Sequence, residues 1–220
     1  MRKGIYIIAV MALFTISAYA QPEVVMDMVN ASAGRLIDST MQTINLRAEI
    51  FNEEVSKVNK LRPLEVENMT KEKLETTIPA VKDFLSYLEV YRATSDKEKV
   101  RIMDSVKQFR SYLPKQKQKK FLKEFVDAYT MDQGAFYRYT QSLTTLYTNV
   151  IDLLNFMSTT KAEIKDNKIV FTEKAELKKY EAIMAKVHKN INKQASASLA
   201  AQKATFDAGQ IMQKSYGKLQ

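Results

Sequence analysis

His188 is the single histidine among 220 residues, and cysteine is absent. The side chains that most often move protons or hold soft metals are therefore almost missing. A general base needs an orienting partner, and a catalytic zinc takes two or three histidines. His188 follows Val187 of an apolar stripe, where a boundary position explains it. Di-iron carboxylate bundles need two Glu-x-x-His units and are excluded. Carboxylates do cluster, at Glu49, Glu53 and Glu54 and again at Glu65, Glu67, Glu72 and Glu75. Glu49 and Glu53 stand one helical turn apart and could share a divalent cation or a proton. Charges at that spacing also line ordinary solvated faces, and the clusters are read that way. Beyond the first residues the glycines (Gly34, Gly134, Gly209, Gly217) are isolated, so no phosphate-cradling loop exists. No catalytic, cofactor-binding or metal-ligating residue is assigned, no cofactor is expected, and the chain is predicted not to be an enzyme.

Charge is the stronger chemical signal. The net charge is +9. Residues 96 to 125 hold 10 basic against 4 acidic side chains and 161 to 220 hold 12 against 6, whereas 21 to 75 are acidic, 10 against 7. The densest spot is Lys115, Lys117, Lys119, Lys120 and Lys123, directly after Pro114. It is a candidate contact for an anionic surface such as lipid head groups, a polyanionic glycan or an acidic client. Arginine is scarce there, which argues against nucleic acid. A second concentration, of Tyr129, Phe136, Tyr137, Tyr139 and Tyr147, falls mostly on packing stripes and is read as core.

The N-terminus has the form of a secretory leader. Arg2 and Lys3 precede an apolar run from Ile5 to Ile16, and Ala18-Tyr19-Ala20 is a small-x-small site before Gln21. Cleavage is expected after Ala20, because a membrane-spanning helix needs about 20 apolar residues. The expectation is thus an exported chain, periplasmic or secreted, with no transmembrane helix after processing. A disulfide-free exported chain of this size suits a bacterial envelope. Asn30-Ala-Ser and Asn68-Met-Thr match the glycosylation triplet at the frequency expected by chance.

The elements that must position these residues are helices. Only 5 Gly and 4 Pro leave little material for the turns of a many-stranded fold. Phe136, Tyr139, Leu143, Leu146, Val150, Leu153 and Met157 alternate at spacings of three and four, the coiled-coil-like seam of an amphipathic helix. Ile37, Met41, Ile44, Ala48, Phe51, Val55 and Val58 repeat the rule. A third stripe starts at Leu177 and fades into small or polar residues after Ile191.

The fold class predicted is all-α, an elongated antiparallel bundle. Three long helices near 26–61, 132–162 and 173–214 form its shaft, and a middle block of shorter helices fills 65–129. Within that block Pro79 is placed in a first helical turn, while Ser95-Asp-Lys-Glu98 and Thr130-Met-Asp-Gln133 have the form of capping boxes that open new helices. Val81 to Leu88 and Val106 to Leu113 agree at six of eight positions and are read as two helix ends facing one core. A small β-hairpin is expected near 162–171, around Asp166-Asn167. The domain plan is a leader over 1–20 and one helical domain over 21–220.

Together these features predict a non-enzymatic exported protein of the envelope, acting by binding a protein partner or by self-association. The alternatives are a periplasmic holdase-like chaperone, a minor subunit of a secretion or conjugation apparatus, and a bundle that binds an apolar ligand or an anionic membrane.

Overall fold

The computed structural model describes residues 22–111 and 116–218. The chain forms α1 (Pro22–Lys60), a 3-10 turn at Val66–Asn68, α2 (Lys71–Ser111), α3 (Gln116–Thr159), β1 (Glu163–Lys165), β2 (Lys168–Val170) and α4 (Lys174–Gly217). Arg47 reaches Asp132 and Asn59 reaches Tyr147, so α1 and α3 run parallel. Pairs between Ser95 and Gln133 and between Phe84 and Tyr147 make α2 antiparallel to α3. Thr205 on Asp132 and Ser215 on Glu124 do the same for α4. The result is an up-down-up-down bundle whose 44-residue helices are about 66 Å long at 1.5 Å per residue. Among the described residues no helix is long and apolar enough to cross a membrane.

The seams lie where the spacing places them. Leu143, Leu146, Val150, Leu153 and Met157 are buried on α3, and Ile37, Ile44, Phe51 and Val58 on α1. Each such side chain contributes about 1.5–3 kcal/mol by leaving water. On α4 the fading stripe stays inside: Ala201, Ala204 and Ala208 are buried, and their small size lets α4 lie close against its neighbours. The hairpin is present, with Ile164 opposite Ile169. Asp166 and Asn167 both have positive φ, 47° and 57°, as a two-residue turn between right-twisted strands requires.

The middle block differs from expectation. It is not a set of short helices, because α2 runs unbroken through Pro79 and Ser95, and α3 runs unbroken through Thr130. Pro79 faces solvent while Leu74, Thr77, Val81, Phe84 and Leu88 stay buried on the opposite side. Continuity of that buried stripe outweighs the hydrogen bond that proline removes. Val81 to Leu88 and the described part of the second octapeptide, Val106 to Ser111, lie on this one helix, 25 residues or about seven turns apart, and so share a face. The connection holding Pro114 lies outside the described residues, but the helices on either side of it run in opposite directions. Among the described residues the bundle therefore has four long helices instead of three with a capping block.

Candidate functional site

The two supposed capping boxes have a different role. Their residues meet in the middle of the bundle, in a buried polar layer to which all four helices contribute. Arg47 of α1 and Asp132 of α3 form an ion pair at 2.7 Å, with exposures of 7% and 0%. The Thr205 hydroxyl of α4 donates to Asp132 Oδ1 at 2.6 Å, and Gln133 Nε2 donates to Asp132 Oδ2 at 3.3 Å. Ser95 of α2 donates to Gln133 Oε1 at 3.1 Å, and the Tyr91 hydroxyl donates to the Arg47 carbonyl at 2.7 Å. The Arg47 guanidinium also lies 4.5 Å over the Phe136 ring. Burial pushes the Tyr91 phenol well above its ordinary value, with the Arg47 charge acting the other way.

Both Asp132 oxygens are occupied by donors, and the carboxylate is shut away from water. Its chemistry is structural: it neutralises Arg47 and joins α1, α3 and α4 at one level. A buried pair of this kind contributes little net stability but costs several kcal/mol to break on one side.

On one side of the layer, α1 and α4 diverge into a groove of about 490 Å³. Met41, Asn45, Ala48 and Asn52 line it from α1, and Ser198, Gln202, Phe206 and Gln213 from α4. Among the described residues no charged side chain lines it. Phe206 stands 66% exposed at its edge, and Leu199, two turns away on the same helix, is 67% exposed. On the other side, α2 and α3 enclose a smaller cavity of about 380 Å³ that includes Arg92, Lys99 and Arg138. Phe136 reaches both.

The residues singled out from sequence are placed as follows. His188 is exposed on α4. Lys57 lies 2.6 Å from Glu54 and 3.4 Å from Glu53, so a lysine bridges the acidic cluster. Among the described residues no three metal-ligating side chains converge. Lys119, Lys120 and Lys123 are exposed near the start of α3, where Lys120 lies 4.0 Å from Glu124. Lys115 lies outside the described residues, as do Ala18, Ala20 and Gln21 of the cleavage site. Among the aromatics, Tyr129 and Tyr147 are buried and Tyr137 is exposed.

Neither the groove nor the polar layer is among the features expected from the sequence. A signal for the layer existed, since Ser95 falls seven residues from both Leu88 and Ile102, and Asp132 seven from both Phe125 and Tyr139. A polar side chain in register with an apolar stripe is a buried polar contact in waiting.

A family model described as Elongator subunit Iki1 matches residues 19–212 of the chain. None of the curated proteins and none of the solved structures matches it. The family match overturns the expectation of an exported envelope protein. Its members are components of an intracellular complex. With that expectation go the assignments to secretion and the periplasm, and the alternatives of chaperone, secretion or conjugation subunit, and ligand- or membrane-binding bundle. The leader-like pattern misled because it consists of little more than two cations, an apolar run and two alanines, which other N-termini can share. A partner within a protein complex is what the family description carries, and over 194 of its 220 residues this chain belongs to the Elongator subunit Iki1 family.

Proposed function

We propose that the chain is a non-catalytic scaffold subunit, acting as one domain, that seats a helix of another subunit of its complex in the groove between α1 and α4. The observation that carries this reading is the pair of exposed apolar side chains, Leu199 and Phe206, beside an uncharged groove. From Met41 to Asn52 the groove runs about 17 Å, three turns of a helix. Asparagine and glutamine along both walls give donors and acceptors that an amphipathic helix can meet without burying a charge. Membership of a family of complex subunits supports a protein occupant.

The test is reconstitution of the full chain with the other subunits of the complex, read by sedimentation and calorimetry. The double variant Leu199→Glu/Phe206→Glu is expected to lose association more than about tenfold, as hot-spot residues do. Its melting temperature should stay unchanged, since both side chains are already exposed. Assembly at undiminished affinity overturns the reading. So does dimerisation of the isolated chain through Phe206, which would make a second copy the occupant.

A further inference from the structure

The α2/α3 cavity lies across the bundle from the groove, and its chemistry is different. Arg92 and Lys99 are seven residues apart on one face of α2, and Arg138 faces them from the antiparallel α3. Among the described residues none of the three lies within ion-pair distance of a carboxylate. The Arg92 guanidinium carbon is 5.7 Å over the half-exposed Tyr137 ring, which holds its planar fork at the cavity mouth. Arg138 folds back along its own helix, with Nη1 3.6 Å from where a Cβ on Gly134 would stand. A glycine here costs the helix about 1 kcal/mol relative to alanine. Nothing in the packing requires it, and its missing side chain widens the cavity. Ser95 and Gln133, already bonded to each other, form a rigid polar floor.

We infer that this cavity is a second docking site, which takes the carboxylate side chains of an acidic segment in a protein partner. Three cations against one lining acid, Asp96, leave a local excess of two positive charges, enough for two neighbouring carboxylates. Arginine forks match carboxylates in bidentate geometry. The exposed Tyr137 offers apolar cover for the peptide backbone. A nucleic-acid strand fits less well, because it needs a continuous basic track, and here the three cations are confined to one cavity.

The experiment uses the full chain and a fluorescein-labelled Glu-Glu-Asp-Glu peptide, followed by anisotropy at low and moderate salt. Arg92→Gln/Arg138→Gln should weaken binding at least tenfold. Asp96→Asn should tighten it two- to fivefold, an increase that misfolding cannot produce. Lys119→Gln/Lys120→Gln/Lys123→Gln removes more charge elsewhere and should change affinity less than twofold. Phe206→Glu, which disables the groove, should leave the peptide bound, so the two sites fail independently. The inference is overturned if the lysine variant loses as much affinity as the arginine variant. It is overturned equally if Asp96→Asn has no effect, or if a single-stranded oligonucleotide binds more tightly with the same dependence on Arg92 and Arg138.

Discussion

Toward the hairpin, aromatic rings from different helices meet one another; toward the two chain ends, buried alanines sit among aliphatic and aromatic side chains. The polar layer divides the halves. In the hairpin half Phe51 packs against Tyr91, Phe136 and Tyr139 with ring centroids 5.2–5.5 Å apart, and Phe84 meets Tyr147 edge-on at 5.0 Å. In the terminal half Ala33, Ala128, Ala208 and Met212 are buried beside Phe121 and Phe125. Two connections also tie the hairpin half: the turn through Met69, and the β-hairpin whose Phe171 packs on Phe156 and Tyr180. The terminal half has one connection and both ends of the chain. Aromatic pairs add specific attraction beyond the area they bury, and the ring contacts between helices named here lie in the hairpin half. The hairpin half is thus expected to be the more stable one, and the terminal half to open first under native-state hydrogen exchange.

Breaking the boundary between the halves should have the largest effect. Asp132→Ala leaves Arg47 buried and unpaired, and the expected loss is about 3–5 kcal/mol in urea unfolding. The double variant Arg47→Met/Asp132→Leu removes both charges and should recover most of that loss. If the layer fixes helix register, the double variant, though stable, will give broader amide spectra around Ser95 and Thr205. Spectra as sharp as those of the parent would reduce the layer to a buried pair without a registering role.

Within the halves, Phe51→Ala is expected to cost about 3–5 kcal/mol, because a ring touching three others leaves a cavity that cannot collapse. Met212→Ala, in the terminal half, should cost about 2–3 kcal/mol, since an unbranched, flexible side chain leaves a smaller cavity than a ring does. Equal losses at the two positions would contradict the contrast between a rigid and a yielding half.

Alkali should separate the halves by a smaller margin. Burial pushes the phenols of Tyr147 and Tyr87 in the hairpin half, and of Tyr129 in the terminal half, up to about 12. In the unfolded chain each phenol gives up its proton near its ordinary value of about 10. The stability that these groups hold is therefore complete below about pH 10 and is lost as pH rises toward about 12. Exchange protection should fall more in the hairpin half over that window, because more of the raised phenols lie there. Tyr147→Phe, which also gives up a 2.8 Å bond to Asn59, should flatten the alkaline limb while lowering stability at neutral pH. An alkaline limb unchanged by Tyr147→Phe would remove this tyrosine from the account.

The contrast also explains what could be read from sequence. The stripes of α1 and α3 were legible because Ile37 to Val58 and Phe136 to Met157 repeat without a polar interruption. The hairpin turn was legible because Asp-Asn tolerates positive φ. The unbroken α2 and α3 were not legible. Ser, Thr, Asp, Glu and Gln at capping-box spacing are also the residue types that a buried polar layer uses, and local pattern cannot separate the two roles. Only the register of Ser95 and Asp132 with apolar neighbours seven residues away distinguishes them, and that becomes decisive once Arg47 and Thr205 are known to lie at the same level. The two cavities were illegible for a related reason. Each lies between helices distant in sequence, and the cations of the α2/α3 site are spread over more than 40 positions, unlike the conspicuous lysine run that the sequence displays.

The smallest effect offers the finest test of the terminal half. Two glycines there face a neighbouring helix, and an added methyl group should act with opposite signs at the two. At Gly209 a Cβ would stand 3.1 Å from the Met41 terminal methyl, the loose end of an unbranched side chain, which can move aside. Gly209→Ala then gains helix propensity of up to about 1 kcal/mol at little steric cost. At Gly34 a Cβ would stand 2.7 Å from the Tyr216 hydroxyl and 3.1 Å from the ring carbon that bears it, so the whole ring must swing away. Overpacking costs typically about 1–3 kcal/mol, so Gly34→Ala should be net destabilising by roughly 1 kcal/mol. Opposite shifts in the urea midpoint would locate the give of this half in its side chains. A loss at both positions would mean that α1 and α4 are held there as rigidly as the helices of the hairpin half.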